Sequence, residues 1–326
     1  MSQTTQNTAA MIIQQIYGTA LIESFDENLT DAQMLFNDRT SEFPEGDRLN
    51  INQIGDVTLS PYNENEPLNF TAIDTSRIYL QLSDKDADGW FITDELKEDA
   101  ASQIPGLVSA RTRKSAQAFR QKMVSDLFAT ASSQQTPANP NLINGQPHRF
   151  VANGGSDGAR KITLDDLRKM KLSFDQANVP ANGRVFFVDP TVEFDLNGLS
   201  QVVTSENPDF RGLVETGFAD RNGMKFYRNI YGFDIVITTL LPVVGAESIT
   251  GGFTATAKTT GANGVANVAM YVGDDDGKAL MGVIRRAPTA GMKRNDDLGR
   301  DEYFAKSRWG FSVQRPESVV VILTDK

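Results

Sequence analysis

Asp84, Asp86, Asp88 and Glu95 come nearest in type and spacing to a chemical site. The run Asp84-Lys85-Asp86-Ala87-Asp88-Gly89, with Glu95 at its end, satisfies the calcium-loop formula. Three carboxylates, a turn glycine and a closing bidentate carboxylate are what a hard divalent cation takes. The flanks oppose that chemistry. The residues before the run read as a strand where a calcium hand needs a helix, no second copy occurs, and Ile92 stands at a ligand position. The competing and favoured reading is an acidic turn joining a strand to a helix. Asp88-Gly89 then supplies the turn chemistry, and Trp90, Phe91 and Ile92 enter the core.

Other chemistry is scarcer still. The chain has 326 residues, no cysteine and one histidine, His148, which excludes disulfides, thiol catalysis and multi-histidine metal sites. His148 lies between Pro147 and Arg149 in a loop-like stretch and reads as a surface or interface histidine. Gly273-Asp274-Asp275-Asp276-Gly277-Lys278 has neither the spacing nor the following hydroxyl of a phosphate loop, and its aspartates repel phosphate. Gly154-Gly155-Ser156-Asp157-Gly158 follows no clear strand. No carboxylate pair is singled out for acid–base work. The expectation is therefore no enzyme, no catalytic residues and no cofactor. The formal net charge of −10 opposes binding nucleic acid by phosphate neutralisation, although such a chain can enclose DNA without adhering to it. No run approaches the roughly 20 apolar residues of a membrane helix. The first basic residue is Arg39, so the positive start of a secretory signal is missing and the sequence reads as cytosolic.

The elements around these residues follow from periodicity. Ile12, Ile13, Ile16, Ala20 and Leu21 stand near helical spacing, and Thr30 precedes a second short apolar stretch at Met34, Leu35 and Phe36. Residues 1–45 thus read as an extended arm whose apolar face docks on a neighbouring chain or, alternatively, on its own domain. Alternation over 48–52, 56–60 and 77–82, interrupted by the polar loop 61–67, predicts a long two-stranded ribbon. A lone ribbon is marginal in water and needs a partner.

Residues 94–133 are the longest helical candidate, with a break before Pro105, which suits a first helical turn. Ile104, Val108, Ser115, Phe119, Met123 and Leu127 trace its inner face, and Arg111, Arg113, Lys114, Arg120 and Lys122 its basic face. Thr163 predicts an N-cap for a helix with the stripe Leu164, Leu167, Met170 and Phe174. Strands are predicted at 184–188, 234–239 and 318–324. A hairpin is predicted from 268–272 and 279–284, and 245–267 reads as a flexible excursion.

The order of these parts resembles the major capsid (coat) protein of tailed bacteriophages, the Hong-Kong-97-type fold, which encapsulin shells also use. Local phrases carry the likeness. Glu45-Gly46-Asp47-Arg48-Leu49-Asn50-Ile51, Gly55-Asp56-Val57, Tyr62 and Leu68-Asn69-Phe70 resemble the start of a coat-protein ribbon. Asp88-Gly89-Trp90-Phe91-Ile92-Thr93-Asp94 resembles the passage from ribbon to spine helix. Asn178-Val179-Pro180 through Asp189-Pro190 resembles the start of an axial-domain strand, and Trp309-Gly310-Phe311 through Arg315-Pro316-Glu317-Ser318 resembles the C-terminal strand. The likeness spans about 40–326.

The resemblance implies an α+β chain in four parts: an N-terminal arm (1–45), an E-loop ribbon (46–93), a peripheral domain with the spine helix (94–160 and 285–310), and an axial domain (161–284 and 311–326). It implies a structural virion protein, assembled in the host cytoplasm, that forms pentamers and hexamers of an icosahedral head around double-stranded DNA with scaffolding and portal proteins. Intersubunit contacts are expected at Ile12, Ile13 and Ile16 of the arm, Tyr62, Glu64 and Glu66 of the ribbon tip, and Arg111, Arg113 and Lys114 of the spine. Some members crosslink a ribbon lysine to a neighbour. Here Lys85 is the one ribbon lysine and sits at the base, so no crosslink is expected. The alternatives are an encapsulin-type shell and a calcium-binding module using Asp84 to Glu95.

Overall fold

The computed structural model describes residues 32–43, 45–54, 59, 64, 72–73, 75–82, 84–133, 140–155, 159–198, 225–250, 253 and 256–326. In chain order, β1 (Phe36–Asp38) follows a short 3₁₀ turn, and β2 (Arg48–Ile54) and β3 (Thr75–Gln81) form the ribbon stem. Next come β4 (Asp84–Thr93), α1 (Asp94–Asp99) and α2 (Ile104–Ser132). Short strands β5 (Leu142–Ile143), β6 (Gln146–Pro147) and β7 (Arg149–Val151) lead to α3 (Leu164–Gln176), β8 (Arg184–Val188) and α4 (Pro190–Gly198). The remainder is β9 (Lys225–Ile230), β10 (Phe233–Ile237), β11 (Ser248–Ile249), β12 (Lys258–Thr259), β13 (Val265–Tyr271), β14 (Leu280–Asn295), β15 (Arg300–Val313) and β16 (Val319–Thr324).

A six-stranded sheet in the order β7-β16-β13-β8-β10-β9 is buried on both faces. Alternate residues of a strand point to opposite faces, and the continuous apolar run of β16 serves both. Val319, Val321 and Leu323 enter a core shared with Leu127 and Phe128 of α2. Val320 and Ile322 enter a second core with Met170 and Phe174 of α3 and Val192 and Leu196 of α4. The α3 N-terminus is closed by the predicted Thr163, in a reciprocal capping box with Asp166.

The second sheet, β1-β14-β15-β4, is built around the long strands β14 and β15. Its inner face lies against α2, a helix of about 43 Å at 1.5 Å per residue. The Trp309 indole meets Phe119 edge-on at 6.5 Å, and its Nε1–H donates to Asp126 Oδ2 at 3.1 Å. The helix break falls as predicted, with Pro105 in the first turn of α2. The ribbon stem pairs Arg48–Ile54 with Thr75–Gln81. Its base rests on Phe43, Leu80, Leu82, Met281 and Val283.

Several local expectations change. The predicted hairpin of 268–272 with 279–284 does not form, because β13 and β14 belong to different sheets. Both edges of β13 are already taken by β16 and β8, so the turn after Tyr271 carries the chain from one sheet to the other. The expected excursion 245–267 contains the short pair β11–β12 and gives its last three residues to β13. The second short helix expected near Met34 is a 3₁₀ turn, Ala32–Leu35, running into β1. The expected boundaries at 284/285 and 310/311 fall inside β14 and β15, and β7, from the 94–160 segment, is an edge strand of the six-stranded sheet.

Gly310 shows how tightly the ribbon is seated. A Cβ there would collide with the backbone carbonyl of Gln81 at the end of β3. Gly310→Val is expected to destabilise the unassembled subunit by about 1–3 kcal/mol through overpacking. Gly106→Ala, in open space on α2, is expected to be neutral or stabilising by up to about 1 kcal/mol. Urea midpoints of the two variants check this; equal midpoints would refute the seating.

Candidate functional site

The acidic run is neither a loop nor a turn. Asp84–Thr93 is a continuous strand, paired with Arg300–Trp309 of β15. This corrects both sequence readings of the segment. The reason is tertiary: β15 presents a long edge, and a ten-residue strand that pairs with it satisfies its backbone groups. In a strand, alternate residues are about 6.8 Å apart, so Asp84, Asp86 and Asp88 are spread over about 14 Å and cannot converge on one ion. Glu95 lies beyond them in α1. Among the described residues no group of three His, Cys, Asp or Glu is placed to hold a metal.

The carboxylates serve packing instead. Even-numbered residues of β4 face α2. Asp88 accepts from Arg111 Nη2 at 2.8 Å and from the Ser115 hydroxyl. Arg111, expected at an intersubunit contact, is thus tied to its own strand. Arg113 is exposed and Lys114 half-buried on the neighbouring stretch of α2. Both make interactions within the chain. Glu64 is exposed. Ile12, Ile13, Ile16, Tyr62 and Glu66 lie outside the described residues.

At the far end of the β14–β15 hairpin a charged network clamps α1. Arg294 donates to both oxygens of Asp94, at 2.6 and 2.5 Å, and to Asp301 at 3.2 Å. Lys97 reaches Asp301 at 2.6 Å and Asp94 at 3.2 Å. The Arg294 hydrogen bonds hold the Asp94 carboxyl down to about 2. Asp301 is lowered first by Lys97.

The other face of the four-stranded sheet is open. It carries Lys85, Ala87, Gly89, Phe91 and Thr93 from β4 and, opposite them, Arg308, Lys306, Phe304, Glu302 and Arg300 from β15. Arg300 lies over the Phe91 ring at 4.5 Å and Lys306 over Phe304 at 5.5 Å. Sequence reasoning missed this surface. Lys85 and Arg308 are far apart in the chain, and only the β4–β15 register makes them neighbours.

His148 is fully buried, not on the surface as its flanks suggest. Its backbone N–H donates to Pro140 O at 3.0 Å and Asn141 O at 2.9 Å, and its Nδ1 lies 3.1 Å from Gln146 O. Burial pushes its pKa below the ordinary histidine value. A histidine lowered on folding contributes stability above its unfolded pKa, near 6.5, and loses it as pH falls toward the folded value. The subunit is therefore expected to unfold at lower urea at pH 5.5 than at pH 7. His148→Gln is expected to flatten that slope; an unchanged slope would show that other groups carry it.

A family model described as phage capsid protein matches residues 78–322. Among solved structures, a chain of Mycobacterium phage Che8 matches with TM-score 0.66 at 18% identity, covering 95% of this chain and 97% of that one. The capsid structure of cyanophage P-SCSP1u matches with TM-score 0.68 at 16% identity, covering 100% and 97%. The cyanophage Pam1 capsid asymmetric unit gives 0.65 at 13% identity, covering 100% and 99%. No curated protein sequence matches the chain. At these identities the structural likeness is one of fold, and the fold is of the Hong-Kong-97 type.

Proposed function

This chain belongs to the phage capsid protein family, and we propose that its copies close an icosahedral head as pentamers and hexamers around double-stranded DNA. It is a structural major capsid protein of the tailed-phage kind, not an enzyme, and its place is the virion capsid. No helix among the described residues is long and apolar enough to cross a membrane.

The observation that carries the assembly reading is the ribbon stem. Among the described residues it is a two-stranded sheet with both outer edges unpaired, and beyond it Leu59 and Ile73 are 91% and 78% exposed. Unpaired edges and bare apolar side chains gain most from a second chain. On this reading the ribbon (46–93) and the arm (1–45) lie on adjacent subunits. Ile12, Ile13, Ile16, Tyr62, Glu64 and Glu66 then make contacts there. The spine with Arg113 and Lys114 belongs to a peripheral part (94–160 and 285–310), and an axial part (161–284 and 311–326) meets at the symmetry axes. Arg111 contributes by holding the spine to β4. Scaffolding and portal proteins are further partners, and assembly takes place in the host cytoplasm. An acidic wall does not trap the enclosed DNA.

Purified protein is expected to form uniform shells by negative-stain microscopy, and charge reversal of Arg113 and Lys114 together to leave unassembled subunits. A compact monomer in sedimentation under every assembly condition would overturn the reading. Boiled shells are expected to run as a single band at chain size, because the ribbon's one lysine, Lys85, is held in β4 at the base. A ladder of multimers would contradict this.

A further inference from the structure

Five cations crowd one cleft on the open sheet face. Lys85, Arg285, Arg286, Lys306 and Arg308 line a depression of about 420 Å³, and Asp86 is the only carboxylate among its described lining residues. Five positive charges against one negative leave four in excess, in a chain whose net charge is −10. None of the five makes an ion pair with a described carboxylate. Arg308 Nε and Asp86 Oδ2 are buried without a hydrogen-bond partner. The strand geometry creates the crowding. Register shifts in β14 on either side of Arg286 bring the consecutive Arg285 and Arg286 to the same cleft. Like charges gathered this way repel one another in the isolated subunit, and the repulsion is relieved by an anionic partner.

The chain carries a matching segment. No lysine or arginine occurs before Arg39, and Glu23, Asp26, Glu27 and Asp31 place four carboxylates within nine residues, with Phe25 and Leu29 among them. The carboxylates between the two ribbon strands, Asp56, Glu64, Glu66 and Asp74, are spread over nineteen residues. The apolar members of the arm segment suit the neighbouring Phe91, 55% exposed, and Phe304, 41% exposed. We propose that the cleft of one subunit receives residues 23–31 of a second copy. The direction of β1 favours a second copy over the chain's own arm. β1 runs parallel to β14 with Phe36 opposite Leu280, so β1 begins at the end of β14 away from Arg285 and Arg286. The inference rests on the assembly reading.

The absence of native cysteine allows a direct test. Shells are assembled from an equal mixture of E27C and A87C subunits and oxidised; Ala87 lines the cleft. A disulfide-linked two-chain band is expected, about tenfold above that from E27C mixed with S133C, since docking raises the effective concentration of the paired thiols. Shells with no band above that control would overturn the proposal and leave the capsid function standing. If the mixtures do not assemble, a fluorescent peptide of residues 20–33 is titrated into unassembled full-length subunit. Binding that is lost with Arg286→Glu plus Lys306→Glu is the expected result. No binding, equal binding to both proteins, or binding of a labelled DNA duplex but not of the peptide would overturn it, the last in favour of a nucleic-acid site.

Discussion

Helix α2 holds both sheets, through residues on different sides of the helix. Phe119 meets Trp309 of the four-stranded sheet, and nine residues on, Phe128 meets Phe187 of the six-stranded sheet at 4.9 Å. Val124, Leu127 and Ala131 lie in the same core. Because that core is continuous, the two sheets share one hydrophobic interior and the long strands β14 and β15 leave it as a projecting hairpin. Most of a helix's stability in a folded protein comes from such packing, and without it the sheets would have no common reference. The ribbon depends on the same arrangement at one remove, since its base sits on Met281 and Val283 of β14.

Several polar groups inside this frame are closely paired. Asn267, fully buried in β13, donates through Nδ2 to Ile322 O at 3.2 Å and Thr324 Oγ1 at 2.8 Å, and accepts from the Asp189 N–H at 3.0 Å. Arg149 and Glu247 form a bidentate pair, both contacts at 2.7 Å, with each side chain under 10% exposed. Such a pair is weak evidence of net stability, because desolvation offsets the Coulomb gain. Its effect is to fix position: removing either partner strands a buried charge, so β7 is held in one register against the loop before β11. A subunit that must make several related contacts with its neighbours needs this kind of rigid interior.

Charge is distributed by strand alternation. The acidic residues of β4 turn inward to the spine, and Lys85 of β4, Arg285 and Arg286 of β14 and Lys306 and Arg308 of β15 turn outward. The outcome is an acidic chain with a concentrated basic surface and an arm and ribbon rich in carboxylates. Attraction between unlike surfaces of identical copies favours association in a defined orientation. Exposed charges are also screened by salt over about 10 Å at 0.1 M.

Much of the fold was legible in order and type. The apolar run Val319–Thr324, the capping residues at Thr163, the helix break at Pro105 and the alternating ribbon stem each carry their signal within a few residues, so periodicity and cap chemistry suffice. The scarcity of catalytic groups was equally plain, since it is a matter of count. Pairing decided the rest. Asp84–Gly89 matches a turn and an ion loop by composition, yet the edge of β15 makes it a strand. The hairpin expected at 268–284 fails because both edges of β13 are already occupied. His148 is buried because the strands around it close over a loop-like sequence. The cleft of Lys85, Arg286 and Arg308 exists only where strands distant in sequence lie side by side. Local sequence fixes which conformation a segment prefers, whereas competition among distant segments for strand edges and core space decides which neighbours it has, and the candidate surfaces of this protein are made of neighbours.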